Sequence, residues 1–372
     1  MEIGVPREIK DREHRTALTP PAVAQLRAEG HRVYVERGAG AGSGFDDAEY
    51  TQAGAELVDA AGAWRRELVV KVKEPLPPEY GFLDGQILFT FLHLAGVDPA
   101  LTRRLLEAGT TAIGYETVED RCGRLPLLAP MSAIAGNMAT LMGACYLAAP
   151  QGGRGVQPGK VLGTPHGRIL VIGDGTVGQH AARVGIALGA RVSMAGRRPE
   201  RAEALRRKMP GELHWFCSTP DSVARHVREA DLVVSAVLVR GARAPHVVTE
   251  EMVRSMPRGA VIVDVSIDQG GSVETSRPTT HSEPVFVRHG VLHYCVTNMP
   301  GAYPRTATLA LVRATLPYVS ALARDGLDAL RRDPGFARGL QTHGGHVACE
   351  PVAEALGLQD RYRRAEALLG IH

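Results

Sequence analysis

Residues 168–188 read RILVIGDGTVGQHAARVGIAL, and the predicted architecture depends on them. An apolar run leads into Gly173-Asp-Gly175-Thr176-Val177-Gly178, and helical spacing follows over residues 176–188. Glycines let the backbone turn tightly and approach a pyrophosphate, whose charge is stabilised at the N-terminus of the next helix. A lone GxGxxG motif is a weak signal, but here it lies between a predicted strand and a predicted helix. These glycines, Thr176 and Val177 are therefore predicted to bind a dinucleotide.

The same alternation of strand and helix extends in both directions from this motif. Towards the C-terminus we predict strands at 191–195, 231–237, 259–266 and 291–296, and a helix at 199–209. Towards the N-terminus we predict strands at 2–6, 31–35, 68–72, 87–93 and 110–118, and a helix within 19–30. Residues 151–167 form a predicted glycine-rich loop, and a helical tail follows Pro304. Such alternation is typical of α/β proteins with doubly wound, mostly parallel sheets.

Length and charge limit the classes of function. The 372 residues include 44% hydrophobic and 22% charged residues, which is enough for two globular domains. The 43 basic and 40 acidic residues are spread evenly along the chain, so neither a nucleic-acid partner nor a membrane-surface partner is expected. A small-molecule substrate fits better.

Cysteine usage and the N-terminal sequence bear on location. The five cysteines are widely spaced and form no CxxC pair, and we expect reduced thiols, a cytoplasmic protein and no metal site. The charged N-terminus has no signal-peptide core. Residues 131–150 have the length of a membrane span, but their Ala, Gly, Ser and Asn content favours a packed interior helix.

Several polar residues are predicted to lie at strand ends, where ligands bind in open α/β sheets. They are Arg15, Lys71, Lys73, His93 and Asp268, with the two lysines on one face of their strand. Arginine suits a substrate carboxylate, an ammonium suits a developing carbonyl, and His and Asp suit proton transfer. Each of them also has an ordinary structural role as a surface cation, a strand cap or a turn residue, and periodicity does not separate these alternatives.

The end of the second cofactor-domain strand bears on which dinucleotide is bound. NAD sites usually offer an acid to the ribose there, about 20 residues after the motif. This chain has Gly196-Arg197-Arg198 instead. Because arginines bind a 2′-phosphate in a bidentate manner, we predict a preference for NADP(H), with NAD(H) possible. The alternative is that both arginines are solvated residues at a helix start.

Segments throughout the chain resemble the alanine dehydrogenase family, which shares ancestry with the nucleotide-binding subunit of transhydrogenase. They are IGVPREIKDREHRTALTP, VKEP, GQILFTFLHLAG, YETV, LPLLAPMSAIAG, QGGRGV, DQGGSVETSRPTTH and YCVTNMPGAYPRTAT. The resemblance covers essentially the whole chain in the same order. It implies two Rossmann-like doubly wound domains, with the cofactor domain (129–304) inserted in a discontinuous substrate domain (1–128 and a helical return, 305–372). It also implies a cytoplasmic homo-oligomer, a hexamer or a dimer.

The resemblance also implies an activity and residue roles. The activity is reversible NAD(P)-dependent oxidative deamination of L-alanine, or of a related small amino acid, to the 2-oxo acid and ammonia. Arg15 and Lys73 would hold the substrate, and His93 and Asp268 would be the acid–base pair, while Lys71 is not the matching lysine. The cleft and cofactor set that the resemblance implies is Met131, Ser132, Val237, Leu238, Asp268, Asn298 and Met299.

Departures from the family pattern keep alternatives open. Family members usually carry an acid at Gly196, and other differences fall at Ala133, Asn137, Ser272, Val273, Tyr303, Val312 and Arg313. A different amino-acid substrate is one reading of these differences. An amine-condensing dehydrogenase of the saccharopine type and a dinucleotide-binding module without its own chemistry are two further alternatives.

Overall fold

The computed structural model describes residues 1–239 and 244–371. Within them the chain divides into two compact units. The first unit comprises residues 1–131 and 301–371, and the second unit comprises residues 132–239 and 244–300. Each unit is built around its own large sheet.

Helices and strands alternate along most of the described chain. The α-helices are α1 Pro20–Ala28, α2 Asp47–Gln52, α3 Ala60–Trp64, α4 Pro99–Glu107, α5 Ala129–Tyr146, α6 Thr176–Leu188, α7 Ala202–Lys208, α8 Pro220–Glu229, α9 Glu250–Arg254, α10 Pro304–Asp325, α11 Asp328–Arg332, α12 Pro334–Ala337, α13 Glu350–Leu356 and α14 Ala365–Leu369. The strands are β1 Glu2–Val5, β2 Arg32–Glu36, β3 Glu56–Val58, β4 Leu68–Val70, β5 Ile87–Thr90, β6 Thr111–Gly114, β7 Gly159–Val161, β8 Thr164–His166, β9 Arg168–Ile172, β10 Arg191–Gly196, β11 His214–Cys217, β12 Leu232–Ser235, β13 Val261–Asp264, β14 Val285–Arg288, β15 Val291–Tyr294, β16 Leu340–His343 and β17 His346–Val347.

The first unit contains an eight-stranded sheet of order β17-β16-β6-β5-β4-β1-β2-β3. The strands from β6 to β3 are parallel, whereas β16 runs antiparallel to β6 and β17 antiparallel to β16. The central strands read as continuous apolar runs because helices cover a doubly wound sheet on both faces. β4, for example, is buried at all three positions.

The second unit contains a seven-stranded sheet of order β11-β10-β9-β12-β13-β15-β14. All its strands are parallel except β14, which pairs antiparallel with β15. The order reverses between β9 and β12, which is the switch point of a Rossmann-type sheet. The predicted class, α/β with two doubly wound, mostly parallel sheets, is confirmed.

Small residues allow close helix packing in the second unit. A Cβ on Gly136 of α5 would overlap the Val177 carbonyl of α6, and a Cβ on Gly143 would overlap the Leu232 side chain of β12. The two glycines therefore let α5 pack directly on α6 and on the sheet. The prediction that residues 131–150 form a packed interior helix is confirmed for most of that stretch. The helix spans Ala129–Tyr146, so it ends four residues earlier than predicted.

Several predicted element boundaries were wrong. The strand predicted at 87–93 ends at Thr90, because the amides of Leu92 and His93 bond the Glu116 carboxylate instead of a neighbouring strand. The strand predicted at 110–118 becomes a 3₁₀ turn after Gly114. The helix predicted at 199–209 begins as a 3₁₀ turn and ends at Lys208.

Two further segments differ from their predicted class. The glycine-rich loop at 151–167 contains the β7–β8 hairpin. The helical tail also contains β16 and β17, and β16 extends the first sheet through its pairing with β6. Short strands at a sheet edge carry little periodicity, so the apolar pattern did not predict them.

One helix of the described residues, α10, is long and apolar enough by length and composition to cross a membrane. It is also a core helix of the first unit: Ala307, Leu311, Val319 and Leu322 are buried on it. Core helices pass the same length and composition test, so α10 gives weak evidence for a membrane span.

A buried histidine makes the stability of the second unit sensitive to acid. His293 lies on β15 with no exposed surface, and its ring nitrogens contact the Thr275 hydroxyl (2.8 Å) and the Val291 carbonyl (3.0 Å). A proton on Nδ1 donates to the carbonyl, so Nε2 accepts from the hydroxyl and the ring is neutral. Burial lowers the pKa of His293 from the usual value near 6.5 to about 4.

Because the folded pKa is depressed, His293 favours the folded state above pH 6.5, and this contribution falls as the pH drops towards 4. We therefore expect the free energy of unfolding to fall between pH 7.5 and pH 5 by about 2 kcal/mol more in the wild type than in His293→Gln. Urea unfolding at constant ionic strength measures the difference. Parallel pH profiles for the two proteins would contradict it.

Candidate active site

Arg15 lies in the segment between β1 and α1, and its guanidinium is held on two sides. Its Nε donates to Glu13 Oε1 (2.7 Å) and its Nη2 to Glu13 Oε2, while Nη1 lies 3.0 Å from the Met131 sulfur. Arg15 is 2% exposed. A bidentate carboxylate pair of this kind fixes the plane of a guanidinium. Arg15 is therefore a buried, oriented cation, and the structure places the predicted Met131 beside it.

Lys73 follows β4 and stands among buried carboxylates. Glu8 Oε1 accepts from the Val72 amide (2.7 Å) and the Lys73 amide (3.4 Å), so a carboxylate from the segment after β1 fixes the backbone here. The Lys73 ammonium lies 3.6 Å from Glu74, which also binds Lys10. Burial by itself would raise the pKa of Glu74, but Lys73 and Lys10 bring it below its usual value.

Lys71 has a different environment from Lys73. Its ammonium is fully buried between Glu8 Oε2 (3.1 Å) and Glu79 Oε1 (2.8 Å), over the Trp64 ring. Burial opposes the charge, but the two carboxylates keep the pKa of Lys71 above its usual value. The strand ends at Val70, so the prediction that both lysines lie on one face of a strand was wrong. Lys71 is a structural cation that ties Glu8 in place.

His93 adopts a strained backbone conformation after β5. Its φ is +48°, in the left-handed region that side chains other than glycine rarely adopt. The Glu116 carboxylate accepts from the amides of His93 (2.7 Å) and Leu92 (3.2 Å), and the His93 ring stacks on Phe91. A Cβ on Gly114 would lie 2.9 Å from Glu116 Oε1, so the glycine leaves room for this carboxylate. Such strain persists only where surrounding contacts hold it.

The three predicted residues of the first unit share one edge of its sheet. Arg15 follows β1, Lys73 follows β4 and His93 follows β5, and these strands are parallel neighbours. The Thr90 hydroxyl donates to the Lys73 carbonyl (3.0 Å), which links the last two strand ends directly. Carboxyl ends of neighbouring parallel strands lie at the same edge of a sheet, so the segments that carry this guanidinium, ammonium and imidazole follow the edge at which α/β proteins bind ligands.

In the second unit the glycine motif forms a turn that only glycine fits. Gly173 has a φ of +109°, and a Cβ there would overlap the Ala236 carbonyl after β12. A Cβ on Gly178 would overlap the Gly173 carbonyl. Gly175 is the exposed N-cap of α6, which starts at Thr176, and Val177 is half-buried against Gly136. The bare backbone at a helix N-terminus is the geometry that holds a pyrophosphate.

Further predicted cofactor residues follow neighbouring strands of the same sheet. After β12, the Val237 amide donates to the Ser266 hydroxyl oxygen (3.0 Å), and the same hydroxyl donates to the Val237 carbonyl (2.8 Å). Leu238 is 47% exposed. Ser132 lies half-buried on α5. Because β9 and β12 are parallel neighbours, the glycine motif after β9 and Val237 and Leu238 after β12 lie at the same edge of the sheet.

Asp268 lies after β13 and is exposed at its side chain. Its Oδ1 is 3.3 Å from the amide of Asn298, which follows β15, has a φ of +61° and is buried together with Met299. The loop carrying Asp268 is held by the buried Asp264, whose carboxylate accepts from the amides of Ser266, Ser272 and Val273. Burial raises the pKa of Asp264, although these hydrogen bonds oppose the rise.

The end of β10 differs from its sequence-based expectation. Arg197 and Arg198 are exposed. Exposure fits both alternatives, solvated residues at a helix start and ligands of a 2′-phosphate. A different arginine, Arg201, donates from Nη1 to Asp174 Oδ1 (2.9 Å). Asp174 is the middle residue of the Gly-Asp-Gly motif, and a Cβ on Gly196 would lie 2.7 Å from its Oδ2. An acid is therefore present at this strand end, although it comes from another loop.

The arrangement fits a dinucleotide in the second unit. The turn excludes side chains where a pyrophosphate would lie. Two buried polar atoms near Gly196, Asp174 Oδ2 and Trp215 Nε1, have no hydrogen-bond partner in the part of the chain that the structure describes. Within 1–239 and 244–371, no cluster of three or more His, Cys, Asp or Glu is placed to hold a metal ion.

Sequence reasoning missed the carboxylates that position the predicted residues. These are Glu8, Glu13, Glu116, Asp174 and Asp264. Four of them lie in quoted motifs: Glu8 and Glu13 in IGVPREIKDREHRTALTP, Glu116 in YETV and Asp174 in the glycine motif. Their partners lie on other strands, so no spacing in the sequence indicates the contacts.

Comparisons with known proteins agree with this fold. The N-terminal domain model of the alanine dehydrogenase/PNT family matches residues 4–135, and the C-terminal domain model matches residues 139–350. An alanine dehydrogenase of Bacillus subtilis (strain 168) is 49% identical over 364 residues, which is 96% of each chain.

Two solved structures are also similar. An L-alanine dehydrogenase has a TM-score of 0.90 and 47% identity, and the match covers 96% of this chain and 99% of that one. A transhydrogenase from Sinorhizobium meliloti has a TM-score of 0.77 and 25% identity, with coverage of 94% and 99%. On the strength of both domain models and a near full-length relative, the chain belongs to the alanine dehydrogenase/PNT family.

Proposed function

We propose that the protein is an alanine dehydrogenase, which interconverts L-alanine with pyruvate and ammonia by using a nicotinamide dinucleotide. The observation that carries the proposal is the set of Arg15, Lys73 and His93 at the carboxyl ends of the adjacent strands β1, β4 and β5. Relatives named alanine dehydrogenase at 45–49% identity support the same reaction. We also propose residues 1–128 and 305–372 as the substrate domain and residues 129–304 as the cofactor domain.

The substrate roles follow from charge and orientation. Arg15 would bind the substrate carboxylate, because Glu13 already fixes the plane of its guanidinium. Lys73 would stabilise the carbonyl oxygen as negative charge develops on it. Met131, Asn298 and Met299 would contact the substrate as apolar and amide neighbours. None of these contacts requires reorganisation of a solvated side chain, since Arg15 and Lys73 are both buried.

Proton transfers are assigned to His93 and Asp268. Forming the imine from pyruvate and ammonia removes water, and the reverse reaction adds it. The oxygen and nitrogen bonded to the reacting carbon must therefore gain and lose protons. An imidazole transfers protons near neutral pH, and an exposed carboxylate accepts them. The bound dinucleotide supplies or accepts the hydride.

The cofactor set comprises residues of the second unit. The proposed ligands are Ser132, Gly173, Gly175, Thr176, Val177, Gly178, Gly196, Arg197, Arg198, Val237, Leu238 and Asp268. The predicted NADP(H) preference stays a prediction, and it depends on the absence of an acid near Gly196. Asp174 places a carboxylate beside Gly196. The preference for NAD(H) or NADP(H) therefore depends on whether that carboxylate or the two arginines contact the ribose of the cofactor.

Assembly and location are proposed by family analogy. We propose a homo-oligomer, a hexamer or a dimer, in the cytoplasm. All five cysteines are free, and Cys122, Cys145 and Cys217 are exposed, which suits a reducing compartment.

A matrix of substrates and cofactors tests the activity. With pyruvate, ammonium and NADH or NADPH, we expect oxidation of the cofactor at 340 nm and formation of alanine. Turnover only when a primary amine replaces ammonium would indicate the condensing alternative. Dinucleotide binding without consumption of any 2-oxo acid would favour a transhydrogenase-like module. The 25% identical transhydrogenase structure is the observation behind this alternative.

Removing the proposed acid–base groups tests their roles. We expect His93→Ala and Asp268→Asn each to lower kcat by about 10²–10⁴-fold, because general acid–base groups typically contribute this much. Dinucleotide affinity, measured by protein fluorescence, should stay nearly unchanged for His93→Ala, which lies in the first unit. His346→Ala, at a half-buried histidine of the same unit, is the matched control. A kcat within threefold of the wild type would contradict the assignment.

Glu116 is proposed as a positioning residue for His93. Its carboxylate is the acceptor for both amides at the strained turn, and a one-ångström displacement of a catalytic group costs on the order of 10²-fold in rate. A glutamine retains the shape but offers an NH₂ group where one of the two amides needs an acceptor.

We therefore expect Glu116→Gln to lower kcat by about 10–100-fold, with a smaller change in the KM for pyruvate. If Glu116 acts through His93, adding Glu116→Gln to His93→Ala should cause almost no further loss, and this non-additivity distinguishes positioning from a general loss of structure. Steady-state kinetics and thermal unfolding of the four proteins measure it. Additive losses would contradict the positioning role.

A further inference from the structure

The backbone on both sides of Arg15 is held by side chains from distant parts of the first unit. The Thr16 amide donates to the hydroxyl of Thr308 on α10 (3.1 Å), and the His14 carbonyl accepts from the Ser43 hydroxyl (2.8 Å). Ser43 ends a 3₁₀ turn between β2 and α2. The two residues that flank Arg15 are therefore anchored by contacts that do not involve the Arg15 side chain.

The hydroxyls of Thr308 and Ser43 also contact each other, and their oxygens are 2.9 Å apart. A hydroxyl carries one proton, which it can donate once while its oxygen accepts. Ser43 donates its proton to the His14 carbonyl, so Thr308 must be the donor to Ser43. One continuous chain of hydrogen bonds therefore runs from the Thr16 amide through the two hydroxyls to the His14 carbonyl, and we call it the hydroxyl relay.

The hydroxyl relay is shielded from water. Thr308 has no exposed surface, and Thr16 and Ser43 are each 1% exposed. No water can replace a lost acceptor at a fully buried amide, and an unsatisfied buried amide is destabilising. Removing the Thr308 hydroxyl would therefore leave the Thr16 amide without an acceptor unless the backbone beside Arg15 moved.

The 3₁₀ turn that carries Ser43 is itself docked on α10. Arg305 lies three residues before Thr308, on the same side of the helix. Its Nη1 donates to the carbonyls of Ser43 (3.1 Å) and Gly44 (2.8 Å). The helix α10 therefore holds the Arg15 segment directly through Thr308 and also indirectly through the turn.

We propose that Thr308 is a positioning residue for Arg15: its hydroxyl fixes the backbone of the Arg15 segment and so sets where the guanidinium meets the substrate carboxylate. The inference rests on the proposed function for the role of Arg15. Glu13 fixes the plane of the guanidinium, but Glu13 belongs to the same segment and would move with it. The long helix α10, buried along one face, gives the pair a fixed reference from another part of the chain.

Thr308→Val removes the hydroxyl and keeps the shape of the side chain. We expect it to raise the KM for pyruvate by about tenfold or more, and to leave kcat and the KM for NADH within about threefold of the wild type. A carboxylate clamp binds the ground state and the transition state alike, so misplacing it raises KM and leaves kcat. Thr308→Ser keeps the hydroxyl and should keep the wild-type KM. Steady-state kinetics measure all of these values.

Thr315→Val is the matched control. Thr315 is a second fully buried threonine of α10, and its hydroxyl donates to the Leu311 carbonyl of the same helix (3.1 Å). The substitution removes the same group from the same helix without touching the Arg15 segment, so it should leave the KM for pyruvate unchanged. A KM within about twofold of the wild type in Thr308→Val, or an equal rise in Thr315→Val, would overturn the proposal.

Hydrogen exchange of the Thr16 amide tests the contact without turnover. We expect exchange at least about tenfold faster in Thr308→Val than in the wild type or Thr315→Val, and unchanged exchange would overturn the proposal. If Thr308→Val does not fold, Ser43→Ala breaks the next link of the hydroxyl relay and should also raise the KM for pyruvate. An unchanged KM there would overturn the proposal. Faster exchange in a protein whose wild type consumes no 2-oxo acid would instead overturn the proposed function and leave the hold of Thr308 on the Arg15 segment intact.

Discussion

Buried carboxylates that bind backbone amides and cations hold the candidate site in place. Glu8 is the central case: its two oxygens receive the Lys71 ammonium and the amides of Val72 and Lys73, so the segment after β1 is tied to the segment after β4. Buried amides need partners, and a carboxylate buried to supply them needs a cation in turn. Lys71 meets that need, which explains a fully buried lysine beside a proposed substrate-binding one.

Carboxylates have the same role beside the other proposed site residues. Glu13 orients Arg15, Glu116 holds the strained turn at His93, and Asp264 gathers the amides of the loop that carries Asp268. In each case a carboxylate of another residue forms the hydrogen bonds that fix the side chain or the loop, so the side chain proposed for chemistry does not have to form them. A second layer of fixed carboxylates therefore preorganises the proposed Arg, Lys, His and Asp, and preorganised charge is the main means by which enzymes stabilise a transition state.

Asp174 shows that a departure from a family pattern is best judged in three dimensions. Read along the chain, Gly196-Arg197-Arg198 lacks an acid and favours NADP(H). In the folded second unit, the loop after β9 lies next to the end of β10. Asp174 of that loop therefore places a carboxylate beside Gly196, where the strand itself carries no acid. The glycine at the strand end leaves the space that the Asp174 carboxylate occupies.

Local pattern and motif order were enough to predict the α/β class, the turn at Gly173–Gly178, the helix at Thr176–Leu188 and the family. They also selected Arg15, Lys73 and His93 as strand-end residues. The folded chain was needed to show that Lys71 is buried between carboxylates, that Glu116 bonds the His93 amide and that Asp174 lies beside Gly196. Strand order in a doubly wound sheet differs from chain order, so contacts between neighbouring strand ends join residues that no sequence spacing relates.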